Sequence, residues 1–147
     1  MRPYYEQRSD LDNEQRVALA IKEECGLDWR KLSITYRLDA ALLRDGVIDC
    51  FAEVKARKVK FGAYSTMMVS ALKVDAAKRL TAISGRPCYF VIAFDDCIAA
   101  CDFAAAHDTG LGGRADRLDA QDSDVCAYYR IKYFKPLAKI IGTGAER

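Results

Sequence analysis

Apolar residues recur at helical spacing near the start of the chain. The stripe is formed by Val17, Ala18, Ile21 and Cys25. This spacing predicts an amphipathic helix over residues 13–25. Asp12 is placed to cap its N-terminus, and Gln15 stands three residues later, where a capping box requires it. Gly26 is expected to end the helix, because glycine accepts the left-handed conformation of a C-cap.

Two stretches rich in strand-forming residues follow, over residues 31–43 and 47–59. Arg44-Asp45-Gly46 joins them and predicts a three-residue hairpin loop, with Gly46 in the left-handed conformation. We expect the first of these strands to break near Arg37.

The next apolar pattern predicts a second helix over residues 65–84, closed by Gly85 and Pro87. Its expected buried face consists of Val69, Leu72, Ala76, Leu80 and Ile83.

The second half of the chain predicts mainly strands. Residues 88–94 are almost wholly apolar, which is typical of a strand buried on both faces. Residues 98–103 and 125–134 predict two further strands, and residues 107–124, with three glycines and many charges, predict a surface loop. One helical turn is expected after Pro136. The order of elements predicts a mixed α/β fold.

Composition restricts the protein class without naming a function. A chain of 147 residues suits a single domain over residues 1–147, and 51% apolar residues can fill a core. The net charge of +2 neither requires nor excludes a nucleic-acid partner. No apolar run approaches the ~20 residues that span a bilayer, and the N-terminus does not resemble a signal peptide. We therefore expect a soluble, cytoplasmic protein with no membrane partner.

The six cysteines show no paired CxxC spacing, and His107 is the only histidine. A zinc site needs ligand pairs at characteristic spacing, so none is expected. A disulfide scaffold is not expected either, because the chain carries no sign of secretion.

Candidate chemistry is concentrated in the hairpin. Glu53 and Lys55 are two residues apart in a strand, so they share a face. The three-residue loop places Asp39 opposite Phe51, diagonal to Glu53 and on the same face. A two-residue turn would instead place Asp39 opposite Ala52, on the other face.

Paired carboxylates with a lysine suit phosphodiester hydrolysis. Two carboxylates can hold Mg²⁺, a hard cation that prefers oxygen ligands, and the Val54 carbonyl is a further candidate ligand. A lysine such as Lys55 can orient or deprotonate water and stabilise developing charge. The alternative is an ordinary ion pair on a solvated sheet face. Charges embedded in apolar strands, however, are costly unless they are paired or bind a metal.

These residues also resemble a known family. Leu38-Asp39-Ala-Ala-Leu-Leu-Arg-Asp-Gly followed by Phe51-Ala-Glu53-Val-Lys55-Ala-Arg resembles the core signature of the PD-(D/E)XK nuclease superfamily. This superfamily includes restriction endonucleases, archaeal Holliday-junction resolvases and phage exonucleases. The resemblance extends over roughly residues 14–94, and Leu38 stands where the motif has proline.

The resemblance implies a restriction-endonuclease-like fold, a mixed central sheet flanked by helices. It also implies that Asp39 and Glu53 bind Mg²⁺ or Mn²⁺ and that Lys55 is the catalytic lysine. Glu14 matches a glutamate that several branches direct from the first helix to the metal. Lys73 matches a polar or basic residue on the second helix that completes the active site and could contact the scissile phosphate.

Both supporting residues have simpler explanations. Glu14 could merely favour the helix N-terminus through the helix dipole. Lys73 could lie with its stem along the core edge and its head in water.

Basic residues directly after the motif, Arg57, Lys58 and Lys60, are candidates for contacts to phosphates. A solvated strand end is the alternative. A weaker candidate for DNA contact is the mixed aromatic and basic set Tyr128, Tyr129, Arg130, Lys132, Tyr133 and Lys135.

Together these features predict a nuclease that hydrolyses DNA with Mg²⁺ or Mn²⁺, of the compact kind that phages and mobile elements encode. A homodimer or a protein partner is compatible with so short a chain. Two alternatives stay open: a catalytically inactive DNA-binding or accessory module with the same fold, and a structural protein whose hairpin charges form salt bridges.

Overall fold

The computed structural model describes residues 8–112 and 124–143. These stretches form two α-helices, α1 (Arg8–Cys25) and α2 (Ala71–Ser84), and neither is long and apolar enough to cross a membrane. The same stretches contain nine strands: β1 (Asp28–Lys31), β2 (Ala40–Arg44), β3 (Val47–Ala56), β4 (Thr66–Ser70), β5 (Cys88–Ala93), β6 (Ile98–Asp102), β7 (His107–Gly112), β8 (Asp124–Arg130) and β9 (Lys135–Pro136).

The strands form two sheets. The larger sheet has six strands in the order β1-β2-β3-β5-β6-β9, and the smaller has three in the order β4-β8-β7. Strands β3 and β5 run parallel, whereas the other neighbouring pairs are antiparallel. The larger sheet is therefore mixed, and the connection from β3 to β5 carries β4 and α2.

Helix α1 covers one face of the larger sheet. Val17 and Ile21 are fully buried there, in a cluster with Leu42, Ala52 and Val91. Their burial follows from the apolar stripe that the sequence predicts.

Helix α2 and the smaller sheet cover the opposite face. Leu80 of α2 and Tyr129 of β8 join Phe51 and Phe90 in the second core cluster. Because the larger sheet is covered on both faces, β5 is buried at every position.

Helix α1 begins at Arg8, so the prediction that Asp12 caps its N-terminus is wrong. Residues 8–12 contain no glycine or proline, and the helix extends through them because nothing there disfavours it strongly. The predicted C-terminus is confirmed. Gly26 has a φ of 71° and its N–H donates to the Lys22 carbonyl at 3.1 Å.

The strand predicted over residues 31–43 is in fact two strands, β1 and β2, separated by a 3-10 turn at Ile34–Tyr36. The Ser33 hydroxyl caps this turn by accepting the Thr35 N–H at 3.4 Å. Arg37 then adopts a left-handed conformation with a φ of 62°, which confirms the predicted break.

The hairpin between β2 and β3 has a two-residue turn rather than the predicted three-residue loop. Arg44 pairs with Val47, and Asp45 and Gly46 have φ values of 51° and 79°, as in a type I′ turn. Aspartate tolerates a positive φ better than most residues, so the turn closes one residue earlier. A bulge at Asp49 then shifts the register by one residue.

The helix predicted over residues 65–84 begins only at Ala71, because residues 66–70 form strand β4 and pair with β8. The Ser70 hydroxyl caps α2 by accepting the Leu72 N–H at 3.3 Å. Leu72 and Ile83, predicted to be buried, are 56% and 84% exposed, and Val74 is buried instead. The true start of α2 therefore alters which residues face the core.

The strands predicted over residues 88–94 and 98–103 are confirmed as β5 and β6. The strand predicted over residues 125–134 is confirmed in its first part as β8, and a 3-10 turn follows it. The helical turn predicted after Pro136 is confirmed as a 3-10 turn.

The surface loop predicted over residues 107–124 contains strand β7, which pairs with β8, and residues 113–123 lie outside the described residues. Glycines and charges obscured β7, but it is an edge strand, where such residues are tolerated. His107 therefore lies in a strand, with its ring centroid 4.7 Å from that of Tyr129.

Candidate active site

Asp39, directly before β2, and Glu53 of β3 lie side by side. Ala40 pairs with Ala52, so Asp39, one residue before β2, is level with Glu53 of β3. Strand alternation places both on the face of Phe51, which belongs to the core cluster beneath α2. The two residues lie directly opposite, not diagonally as the longer loop predicted, because the bulge changed the register.

Hydrogen bonds to neighbouring strands hold Asp39 in place. Its Oδ2 accepts the Val54 N–H at 2.7 Å, a charge-assisted bond of the stronger kind. Its N–H donates to the Ala52 carbonyl at 3.1 Å, and its carbonyl accepts the Leu32 N–H at 2.9 Å. Asp39 is thus positioned by both backbone and side chain.

Glu53 is the one charged residue that is buried among those the structure describes, with 4% of its surface exposed. Its Oε2 lies 3.4 Å from Lys73 Nζ. Within the described residues, its buried Oε1 has no hydrogen-bond partner. Burying a carboxylate oxygen without a partner costs free energy. Oε1 is therefore a candidate ligand for a cation.

Lys73 reaches Glu53 from α2. It stands four residues before the buried Ala77, at the edge of the helix face that meets the core. Its Nζ also donates to the Arg37 carbonyl. One ammonium group therefore connects Glu53 to the left-handed turn that precedes Asp39. Sequence reasoning placed Lys73 beside the site but missed Arg37, whose only signal was the expected strand break.

Loss of water shifts two pKa values in this site. The pKa of Glu53 is raised from 4.5 to about 8, mainly by burial and also by the Asp39 charge, while Lys73 and Lys55 oppose the rise. Burial also lowers the pKa of Lys55, and the neighbouring Arg57 charge adds to that effect. Each group is therefore pushed toward its neutral form.

We expect the metal-free protein to lose stability as the pH rises from 4.5 to about 8. Folded Glu53 keeps its proton up to the higher value, whereas the unfolded chain releases it near the lower one. In that interval the folded state binds more protons, so raising the pH favours unfolding. The stabilisation from this proton is fully present below pH 4.5, and it is lost as the pH rises to about 8. It amounts to a few kcal/mol, because each pKa unit is worth about 1.4 kcal/mol.

Urea denaturation in a chelating buffer, repeated across this pH interval, measures the effect. The free energy of unfolding of the wild type should fall relative to that of Glu53→Gln, which has no proton to release. Parallel curves for the two proteins would contradict the expected behaviour of Glu53.

The other two predicted metal ligands, Glu14 and Val54, have contacts of their own in the structure. Glu14 of α1 lies with its Oε2 3.3 Å from Lys31 Nζ of β1. The Val54 N–H binds Asp39, and its carbonyl as a ligand stays a prediction. In the part of the chain that is described, no three side chains of His, Cys, Asp or Glu converge as a metal site. Metal binding by Glu14 therefore also stays a prediction.

The predicted basic residues leave β3 at the same end of the sheet as Lys55. Arg57 is half-buried, and its Nη1 donates to the Ala56 carbonyl at 3.0 Å. Lys58 and Lys60 are exposed. Their contact with phosphates stays a prediction.

The weaker aromatic and basic set does not form one surface. Tyr129 is fully buried, and its hydroxyl donates to the Phe103 carbonyl at 2.7 Å. The interpretation of Tyr129 as a DNA contact is therefore wrong, because β8 turns that side chain into the core. Side chains alternate between the two faces of β8, and Tyr129 is one of those that face the core.

Solved structures resemble this fold, and two of them are nucleic-acid enzymes. Hjc, a Holliday junction resolvase of the archaeal hyperthermophile Archaeoglobus fulgidus, gives a TM-score of 0.64 at 12% sequence identity, covering 91% of this chain and 96% of its own. A nuclease from a fusselovirus gives a TM-score of 0.52 at 13% identity, covering 90% of this chain and 85% of its own. At these identities the likeness shows the fold, and it confirms the predicted nuclease-like mixed sheet.

The sequence itself provides the family. No curated protein matches the chain. Residues 1–137 match the family described as "Phage putative PDDEXK endonuclease", which confirms the resemblance inferred from Asp39, Glu53 and Lys55. Because this match extends over nearly the whole chain, the protein belongs to the phage PDDEXK endonuclease family, a nuclease family.

Proposed function

We propose that the protein is a deoxyribonuclease that requires Mg²⁺ or Mn²⁺ and hydrolyses phosphodiester bonds in DNA. The observation that carries this proposal is the environment of Glu53. Its carboxylate is buried beside Asp39, one oxygen has no hydrogen-bond partner among the described residues, and Lys73 lies against the other. A bound cation would compensate the charge that this arrangement concentrates.

The residues present fit a hard divalent cation. Mg²⁺ prefers oxygen ligands, keeps several waters and needs one or two carboxylates, with substrate phosphates completing its shell. Asp39 and Glu53 would supply those carboxylates. We propose the Val54 carbonyl and the Glu14 carboxylate as additional ligands.

Side chains of the protein would have separate roles in hydrolysis. When bound, the cation supplies Lewis-acid polarisation of the phosphate and lowers the pKa of a water. Lys55, on the same strand face as Glu53, would orient or deprotonate the attacking water. The Lys73 ammonium would stabilise negative charge that develops on the phosphate. Arg57, Lys58 and Lys60 would bind flanking phosphates, and such binding weakens with added salt.

Incubation of the purified protein with linear, circular and branched DNA tests this proposal. We expect cleavage in Mg²⁺ or Mn²⁺ and none in EDTA, and cleavage of the circular substrate would identify internal cuts. Titration calorimetry with Mn²⁺ should detect binding that Asp39→Asn removes. Asp75→Asn is the matched control, because Asp75 lies exposed on α2 and pairs with Arg79.

An inactive DNA-binding or accessory module would behave differently. It would bind DNA without binding Mn²⁺, and it would leave every substrate intact under all metal conditions. Either result, obtained with folded protein, would contradict the proposed activity.

A further inference from the structure

A basic and aromatic segment extends directly from the strand that carries Lys55. Residues 57–65 connect β3 to β4 and include no acidic residue. Two of the three basic side chains, Lys58 and Lys60, are exposed. We call residues 57–65 the exit segment.

Hydrogen bonds to the main body of the fold hold the exit segment along its length. At its start, the Arg57 N–H donates to the Ala93 carbonyl at 3.0 Å. In its middle, the Phe61 N–H donates to Asp96 Oδ1 at 2.9 Å. Further bonds link Val59 to Asp95 and Ser65 to Ile131. The segment is thus ordered in advance, and this reduces the entropy lost when it binds a ligand.

The exit segment exposes two aromatic rings. Phe61 packs edge-on against Phe94, with 5.4 Å between ring centroids, yet 40% of its surface is exposed. Tyr64 is 60% exposed. Exposed rings beside exposed lysines are the combination with which proteins bind single-stranded nucleic acids.

We propose that the exit segment binds unpaired nucleotides of DNA next to the scissile phosphate, with Tyr64 stacking on a base. This inference rests on the proposed deoxyribonuclease activity and names its substrate class: single-stranded, tailed or branched DNA. In an intact duplex, neighbouring bases cover both faces of each base. A protein ring can therefore stack where a base is unpaired, and stacking accepts any base because every base has a π-face.

The lysines contribute the part of the binding that does not depend on sequence. Lys58 and Lys60 provide positive charge for the backbone of the strand, as in other single-strand grooves. Two acidic residues form hydrogen bonds with the segment: Asp95 donates its backbone N–H to the Val59 carbonyl, and Asp96 Oδ1 accepts the Phe61 N–H. The segment therefore presents cations and rings together.

Fluorescence anisotropy in EDTA tests the inference, because the proposed metal-dependent cleavage cannot occur there. The probes are a short labelled single strand, its blunt duplex, and that duplex with a single-stranded tail. The wild type should bind the single strand and the tailed duplex more tightly than the blunt duplex. Tyr64→Ala should weaken single-strand binding by roughly 5- to 150-fold, the range for loss of one stacking contact, and leave duplex binding unchanged.

Two further variants exclude a structural explanation. Tyr64→Phe keeps the ring and should bind like the wild type, whereas Tyr64→Leu keeps apolar bulk without a ring and should bind like Tyr64→Ala. Ile83→Ala is the control, because Ile83 is 84% exposed on α2 outside the segment. Unchanged single-strand affinity in Tyr64→Ala, or an equal loss for duplex and single strand, would overturn the inference.

The two proposals fail in different ways. A protein that cleaves DNA but binds single strands independently of Tyr64 would refute the role of the exit segment alone. A protein that binds single strands through Tyr64 but cleaves nothing in Mg²⁺ or Mn²⁺ would refute the enzymatic proposal alone.

Discussion

Glu53→Gln is expected to abolish metal-dependent DNA cleavage while the fold remains intact. Glutamine has nearly the same volume as glutamate and keeps one oxygen that can face Lys73, but it lacks the charge that holds a cation. Loss of a residue that only supports a metal ligand costs about 10- to 100-fold in activity or affinity. Loss of a ligand itself should therefore cost more than about 100-fold.

Cleavage rates in Mn²⁺ and circular dichroism spectra of the same preparations measure this outcome. Glu24→Gln is the matched control, because Glu24 is an exposed residue near the end of α1 and should retain the wild-type rate. Thermal unfolding in EDTA at neutral pH should show that Glu53→Gln is at least as stable as the wild type, since it removes a buried carboxyl group that must take up a proton when the chain folds. Wild-type cleavage by a folded Glu53→Gln protein would refute the assignment of Glu53.

The elements that could be predicted from sequence are those whose pattern is local. The apolar stripe of Val17 and Ile21 repeats every turn of α1, and both residues are fully buried. Strand β5 is apolar at each position because it lies between two cores. Strand β4 escaped prediction because Val69 lies three residues before Leu72 and seven before Ala76, which is helical spacing, so residues 66–70 resembled the start of α2. It becomes a strand by pairing with β8, which lies far along the sequence.

The site shows the same division between local and long-range information. Glu53 and Lys55 share a face by simple alternation. The position of Asp39 relative to them depends on the register of the hairpin, and the bulge at Asp49 has no sequence signal as strong as a glycine. The contact of Lys73 with the Arg37 carbonyl requires α2 and the turn before β2 to be in place together. Tertiary structure alone supplies that contact.

Lys55→Met is expected to reduce the cleavage rate by roughly 10²- to 10⁴-fold, the usual contribution of a positioned proton-transfer group. Methionine keeps a linear apolar stem that can follow the same half-buried path, but it cannot orient water or stabilise charge. The carboxylates of Asp39 and Glu53 remain, so Mn²⁺ binding should persist. It should become tighter, because a cation that repels the metal is removed.

This separation of metal affinity from rate distinguishes Lys55 from the two acidic residues. Calorimetry with Mn²⁺ and cleavage rates at saturating Mn²⁺ measure the two quantities on the same variant, with Lys78→Met, an exposed α2 position, as the control. Asp39→Asn loses both binding and cleavage in this scheme, whereas Lys55→Met loses cleavage alone. If Lys55→Met cleaves DNA at the wild-type rate, the lysine takes no part in the reaction. If it loses Mn²⁺ binding as well, its charge holds the carboxylates in place rather than acting on the water.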